Sequence, residues 1–125
     1  MTIFEAISKA DEIRNNRIDE RMKIDMLSEL DGRICAELAD PYGKAGNFSG
    51  YDENTPSDTK LIADFPYDGL YVAYLEAEIC RLNGEIQKYN AARNIFLEKY
   101  EAYKSWYVRT HTNNAPVVKF PIRGY

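Results

Sequence analysis

An apolar stripe between residues 75 and 107 constrains the fold of this 125-residue chain more than any other feature. Its members recur at alternating spacings of four and three residues, interrupted only by Arg93; they are Leu75, Ile79, Leu82, Ile86, Tyr89, Phe96, Tyr100, Tyr103 and Tyr107. This spacing is typical of a helix that packs along another helix for several turns. The stripe predicts one long helix over residues 66–111, with Asp64 and Pro66 at its start.

The predicted helix is too long for a chain of this size to cover alone, since roughly 40 residues would span about 60 Å. Either the helix breaks or another subunit covers part of it. Gly84 is the weakest point, because glycine costs a helix about 1 kcal/mol relative to alanine. The apolar register is nevertheless unchanged from Leu82 to Ile86. We therefore interpret the stretch as one helix with a bend at most.

The second half of the stripe is mostly aromatic, whereas the first half is aliphatic. Tyrosine and tryptophan are favoured at protein interfaces because they bury a large area and tolerate a wet edge. Two interpretations of this half stay open. It packs on its own domain, or it contacts another subunit.

Two shorter helices precede the long one. Thr2 and Glu5 have the spacing of a capping box, which starts a helix that ends near Arg14. A second helix begins around Ile18 or Asp19 and ends at residues 39–40, because Pro41 disfavours helix in the residue before it. The sequence thus predicts an all-α fold with a three-helix core, whose buried residues include Leu30, Ile34, Leu70, Leu75, Ile79 and Leu82. A glycine inside the second helix, Gly32, suggests that another helix approaches closely there.

Residues 40–63 lose the helical periodicity and are rich in Gly, Asn, Asp, Ser and Pro, so they predict a long irregular loop with room for a short hairpin. Three aromatic residues in this loop, Tyr42, Phe48 and Tyr51, would be costly to leave in water. We expect them to dock on the domain or on a neighbouring subunit.

The chain divides into a single helical domain over residues 1–111 and an extended tail over residues 112–125. Pro116 and Pro121 prevent a long helix in the tail. Between them, Val117, Val118 and Phe120 can form a short edge strand. This strand either lies back on the helices or adds to another subunit.

Composition excludes several classes of function. Twenty acidic residues against sixteen basic ones give a net charge of -4, which argues against nucleic acid as the main ligand. No stretch has the apolar length of a membrane span. Cys35 and Cys80 lie among apolar neighbours, so we expect reduced core thiols of a cytoplasmic protein, with a disulfide between them as the alternative.

The residues that carry chemistry are sparse. The single histidine, His111, lies at a predicted helix end, where the helix dipole favours an imidazolium ion, so we expect a capping or surface role. No nucleophile elbow, phosphate-binding glycine loop or Cys/His metal spacing occurs. The acidic pair at residues 52–53 lacks the spaced oxygen ligands of a calcium loop. We therefore expect no enzymatic activity, no cofactor and no metal.

Four segments in order along the chain carry a resemblance to a known family: residues 23–34 (KIDMLSELDGRI), 65–71 (FPYDGLY), 84–85 with 89–90 (GE and YN), and 107–111 (YVRTH). They resemble small proteins from the structural modules of phages and prophages of Gram-positive bacteria, regarded as head–tail connector or adaptor proteins. The resemblance extends over about residues 2–111, and the tail matches least.

The resemblance implies a non-enzymatic helical subunit that forms a ring beneath the portal of a DNA-filled capsid. It implies the portal protein and a tail-proximal connector or stopper protein as partners, and the virion head–tail junction as the location after synthesis in the host cytoplasm. An acidic balance suits a conduit through which DNA passes without specific binding. Candidate interaction residues are Tyr42, Phe48, Tyr51, Tyr103, Trp106, Tyr107, Val117, Val118 and Phe120.

A second class of function remains open, namely a cytoplasmic helical regulator or scaffold that dimerises. Such a dimer would use the apolar stripe symmetrically and leave the loop and tail free. A ring would instead use two different surfaces on each subunit.

Overall fold

A computed structural model describes residues 1–43, 46 and 48–113, with the backbone alone at residues 112–113. It contains four α-helices: α1 (Ile3–Ile13), α2 (Glu20–Ile34), α3 (Gly69–Leu82) and α4 (Ile86–Asn113). A π-helical turn (Cys35–Ala39) and a 3-10 turn (Asp40–Tyr42) extend α2. Within the described residues there is no strand, only an isolated antiparallel bridge between Thr2 and Lys60. The all-α prediction is confirmed.

Both predicted ends of the first helix and the predicted start of the second agree with the structure, but the predicted end of the second at residues 39–40 is wrong, because helical backbone continues through Pro41 to Tyr42. The Thr2 hydroxyl accepts from the Glu5 amide at 3.1 Å, and the Glu5 carboxylate accepts from the Thr2 amide at 2.9 Å, which completes the capping box. The Asp19 carboxylate caps α2 by accepting from the amide of Arg21. Helical backbone after α2 stops at Gly43, whose φ of 68° is left-handed.

The prediction of one continuous helix over residues 66–111 is wrong, because the chain reverses between α3 and α4. Gly84 has a φ of 77°, its amide donates to the carbonyl of Arg81 at 3.1 Å, and the Glu85 amide donates to that of Cys80 at 2.9 Å. These bonds form a Schellman motif, which ends a helix with a glycine in the left-handed region. Gly84 therefore ends helix α3 instead of bending one longer helix.

After this turn α4 runs antiparallel to α3 and covers it. Ring contacts fix the pairing: Tyr74 lies 5.0 Å from Phe96, and Tyr67 lies 5.2 Å from Trp106, measured between centroids. Four aromatic members of the stripe are buried by this packing, namely Phe96, Tyr100, Tyr103 and Tyr107. The chain therefore covers the second half of its own stripe.

The predicted start of the third helix also needs correction. Residues 64–68 form turns in which the Tyr67 amide donates to the Asp64 carbonyl, and the Phe65-Pro66 peptide bond is cis. The helix begins at Gly69 instead of Pro66. The carboxylate of Asp68 forms an ion pair with the amino group of Met1 at 3.3 Å. This contact joins the turn to the first residue of the chain.

Polar contacts set the directions of the remaining helices. Helix α1 runs beside α3 in the same direction, since Met1 meets Asp68 at one end and Arg14 pairs with Glu76 at 3.0 Å further along. Helix α2 runs back along α1, and its buried Lys23 pairs with the Asp11 carboxylate at 2.7 Å.

The core contains the predicted residues Leu30, Ile34, Leu70, Leu75 and Ile79, all at most 1% exposed. Leu82 was predicted to join them but is 40% exposed, because it is the last residue of α3 and lies where the chain turns away. The expected close approach at Gly32 is wrong as well, since a Cβ placed there would meet no atom within 4 Å.

Candidate interaction surface and the network that supports it

A buried carboxylate on α2 ties together parts of the chain that are far apart in sequence. Asp31 is fully buried, and it accepts from the Tyr71 hydroxyl at 2.6 Å, the Tyr51 hydroxyl at 2.5 Å and the Ile62 amide at 3.2 Å. The Tyr71 hydroxyl in turn accepts from the Ala63 amide at 2.7 Å. One side chain on α2 therefore fixes α3 and two points of the long loop.

The electrostatics of this network favour a structural role. Burial raises the pKa of Asp31, although its three donors act in the opposite direction. Burial also raises the pKa values of Tyr51 and Tyr71, and the nearby Asp31 raises them further. Both phenols therefore stay protonated and donate to the carboxylate.

The sequence analysis assigned no role to Asp31, although a signal for its role is present. Asp31 follows Leu27 by four residues and precedes Ile34 by three, which places it on the buried face of α2. A carboxylate on a core face must find hydrogen-bond donors. The tyrosines in the loop and in α3 are the side chains that supply them.

Two of the candidate interaction residues lie at this network rather than on a free surface. Tyr51 donates to Asp31, and its amide donates to the Ser28 hydroxyl at 2.9 Å. The ring of Phe48 packs edge-on against Tyr51, with 5.1 Å between centroids. Both aromatic side chains dock on the chain's own domain and are half-buried.

The other described candidates meet at the C-terminal end of α4, where they form an aromatic cluster together with Tyr67 and His111; these candidates are Tyr42, Tyr103, Trp106 and Tyr107. Within it, Tyr103 is 2% exposed and Tyr107 is 7% exposed, so their rings are used in internal packing. Tyr42 and Trp106 are half-buried and present part of their rings to solvent.

His111 belongs to this cluster through its ring. The imidazole stacks on Tyr107 with 3.8 Å between centroids and an interplanar angle of 7°. Its Nδ1 lies 2.8 Å from the carbonyl oxygen of Tyr107. Because a carbonyl only accepts, Nδ1 carries the proton in this contact.

A second arrangement joins α4 to the extension of α2. The Tyr100 hydroxyl donates to the Glu37 carboxylate at 2.7 Å, and this bond is the main reason that the pKa of Glu37 is lowered. The Arg33 guanidinium lies 4.6 Å above the centre of the Tyr100 ring and also bonds to Glu37. These contacts hold the middle of α4 against α2.

Several large apolar side chains remain exposed; none of them was a candidate interaction residue, although Leu82 and Ile86 belong to the apolar stripe. Two groups lie at opposite ends of α3. Near its start, Phe65 is 85% exposed and Val108 of α4 is 39% exposed. Near its end, Ile13 is 52% exposed and Ile86 is 71% exposed; the Asn83 side chain reaches the Asn15 carbonyl and joins these two regions.

Over residues 1–43, 46 and 48–113, no group of three or more His, Cys, Asp or Glu could hold a metal ion. Cys35 and Cys80 are free, buried thiols, so the alternative of a disulfide between them is wrong. No helix in this part of the chain is both long and apolar enough to cross a membrane.

The last three candidates, Val117, Val118 and Phe120, lie outside the described residues. The tail that contains them follows directly from the helix that carries the aromatic cluster.

Comparison of the chain with protein-family models, with curated proteins and with solved structures found no match in any of the three.

Proposed function

We propose that this protein is a non-enzymatic structural subunit of a phage or prophage head–tail connector, which forms a ring between portal and tail. The observation that carries the proposal is the aromatic cluster at the end of α4. It is built on a rigid helical hairpin, it leaves Trp106 partly exposed, and the tail begins beside it. Rigid aromatic side chains of this kind are common anchors in protein interfaces.

The segments that carry the family resemblance support the proposal because they coincide with positions that define the fold. Residues 84–85 form the turn between α3 and α4, and residues 65–71 form the turn that starts α3. Residues 107–111 include two members of the aromatic cluster, Tyr107 and His111. A resemblance limited to surface positions would carry less weight.

The distribution of exposed apolar side chains favours a ring over a symmetric dimer. The stripe that a dimeric regulator would use is packed mostly inside the hairpin, with Leu75 and Ile79 fully buried. Exposed apolar residues instead occupy both ends of α3, about 20 Å apart for a helix of 14 residues. Two different contact regions on one subunit are what a head-to-tail ring requires.

The test is the mass of the purified chain by light scattering, alone and then mixed with the portal protein from the same gene neighbourhood. We expect a stoichiometric complex with the portal. A stable dimer that ignores the portal would refute the connector and favour the regulator.

A variant tests the aromatic cluster within that experiment. Trp106→Ala should weaken the complex with the portal, because it removes the partly exposed ring of the cluster. Ile95→Ala is the matched control, since Ile95 is an apolar residue of the same helix that is 50% exposed and distant from the cluster. If Trp106→Ala retains its helical circular dichroism and still joins the portal normally, the cluster is not the contact.

A further inference from the structure

Three aromatic side chains lie close together on the surface beside the start of α3, and we refer to them as the exposed patch: Phe65, Tyr67 and Trp106. Phe65 is 85% exposed, and Tyr67 and Trp106 are half-buried. The Tyr67 and Trp106 rings are 5.2 Å apart between centroids. Phe65 precedes Tyr67 by two residues, so their Cα atoms are at most about 7 Å apart. Exposed apolar side chains grouped in this way often mark a contact site.

The backbone that carries the patch is fixed on both sides of Phe65. The Ala63 amide donates to the Tyr71 hydroxyl at 2.7 Å, and the Tyr67 amide donates to the Asp64 carbonyl at 2.8 Å. The Tyr67 ring also packs on Tyr103, with 5.9 Å between centroids. The Phe65 ring therefore cannot be buried by a small movement of its own turn, and another segment has to cover it.

The tail leaves α4 on the side that carries Trp106. Positions 106, 110 and 113 are spaced by four and three residues, so they share one face of the helix. The Thr110 hydroxyl donates to the carbonyl of Trp106 at 2.9 Å on this face. The helix ends at Asn113, about 10 Å beyond Trp106 along its axis. The next residues, 114–116, are Asn, Ala and Pro, and both Asn and Pro favour a turn.

The tail contains an apolar segment of matching length. Val118, Phe120 and Ile122 alternate along the sequence and would share one face of an extended segment. Val118 follows Asn113 by five residues and reaches about 17 Å when stretched, which is enough to return to Trp106. From Val118 to Ile122 an extended segment covers about 13 Å. The distance between Trp106 and Phe65, across Tyr67, is of the same order.

The length of the connection decides between the tail of the same chain and that of a second copy. Only residues 114–116 and Val117 separate α4 from the apolar segment. A linker this short gives an effective concentration on the order of 1 mM. A second copy at micromolar concentration therefore competes poorly with the chain's own tail.

Phe4 on α1 is a competing position, because its side chain is 63% exposed. Its apolar neighbours Ile3 and Ile7 are already buried, at 2% and 7% exposure. A segment docked there would cover one ring, whereas the exposed patch offers three. The patch is thus the larger apolar surface beside the start of the tail.

We propose that residues 118–122 fold back on the exposed patch of the same chain, with Val118, Phe120 and Ile122 against its three rings. A partner that binds through Trp106 must then displace the tail first. The inference does not depend on the connector proposal. Its test involves no portal, so the two proposals can fail separately.

Fluorescence of the full-length chain tests the contact, because Trp106 is the single tryptophan of the sequence. Val118→Ser with Phe120→Ser should raise the acrylamide quenching constant of Trp106 about twofold, because the open side of the ring loses its cover. Val117→Ser with Lys119→Ser is the matched control on the other face of the segment and should leave the constant unchanged. An unchanged constant in the first variant, or an equal rise in the control, would overturn the proposal.

Photo-cross-linking locates the tail. Phe65 is replaced by p-benzoylphenylalanine in the full chain, and the irradiated products are separated in denaturant and mapped by mass spectrometry. We expect position 65 joined to residues 114–125 of the same chain. The yield should not change between about 1 μM and about 100 μM protein, since both values lie below the effective concentration.

Two further positions of the photo-reactive residue make this test specific. In place of Ile86, which is 71% exposed at the opposite end of α3, it should not mark the tail. In place of Phe4 it should not mark the tail either. A species of twice the chain mass whose yield rises with concentration, or marking of the tail from Phe4 instead of Phe65, would each overturn the proposal.

Discussion

Removal of the Asp31 carboxylate should destabilise the chain strongly, and the structure sets the size of the effect. Asp31→Ala leaves the buried Tyr71 hydroxyl without its acceptor and deprives the Ile62 amide of its bond. A buried donor left unsatisfied costs about 1–3 kcal/mol. The Tyr51 side chain is half-buried, and its hydroxyl can bond to water instead of to Asp31. The loss of this bond therefore adds less to the cost of the substitution. The cost of burying a carboxylate disappears at the same time.

The expected net loss is about 2–4 kcal/mol of the free energy of unfolding, a large part of the roughly 5–15 kcal/mol typical of a domain. Urea unfolding followed by circular dichroism measures it. Asp25→Ala is the control on the same helix, because Asp25 is exposed, and it should change the free energy of unfolding by less than about 0.5 kcal/mol. Equal effects from the two variants would show that the network contributes no stability.

The same carboxylate gives a signed dependence on pH. Burial raises the pKa of Asp31 above its ordinary value of 3.8, so between the two values the folded chain binds more protons than the unfolded chain. The contribution of Asp31 to stability is therefore largest below pH 3.8 and falls as the pH rises to the raised value. Asparagine does not titrate. The free energy of unfolding of wild type minus that of Asp31→Asn should therefore decrease as the pH rises over this range. A difference that increases with pH would refute the reasoning.

Three further predictions follow from particular contacts. Gly84→Ala should lower the free energy of unfolding in urea by about 1 kcal/mol, because alanine is strained at a φ of 77°. Gly32→Ala should raise it by about 0.5–1 kcal/mol, because the added Cβ meets no neighbour in the middle of a helix. A change of the same sign in both variants would contradict the turn at Gly84. Tyr100→Phe should cost about 1 kcal/mol in the same assay through the lost bond to the carboxylate on the π-helical turn, and no loss would show that the bond adds no stability. Burial raises the thiol pKa values of Cys35 and Cys80, so a thiol reagent should label both slowly in native buffer and rapidly in denaturant; fast native labelling would show that they are accessible.

Much of the helical architecture follows from local rules that act within a few residues. The capping box at Thr2 and Glu5 is of this kind and was predicted, whereas the predicted stop before Pro41 is wrong, because a 3-10 turn carries helical backbone through Pro41 to Tyr42. The reversal at Gly84 was not predicted, because the apolar stripe continues in register through the turn. A stripe with this repeat suits either a continuous helix or a hairpin whose two arms pack on each other. The three residues between α3 and α4, one of which is a left-handed glycine, decide between them.

The candidate site was predicted only in part, for a related reason. The aromatic content of the α4 end was visible, but which rings become buried depends on how α3 and α4 pair, and sequence spacing does not specify that pairing. Tyr103 and Tyr107 face inwards, while Trp106, between them, stays partly exposed. The acceptor of the Tyr51 and Tyr71 hydroxyls lies 20 and 40 residues away from them along the chain, beyond the reach of any local pattern.

The hydrogen bonds around Asp31 make part of the loop inseparable from the helices. The amides of Ile62 and Ala63 lie outside any helix, yet they can exchange with solvent only when the contact between α2 and α3 opens. The Leu61 amide likewise donates to the carbonyl of Met1. This segment should therefore resist hydrogen exchange as long as the core helices do. We therefore expect the beginning of the chain, the end of the loop and the helical hairpin to open together as one cooperative unit.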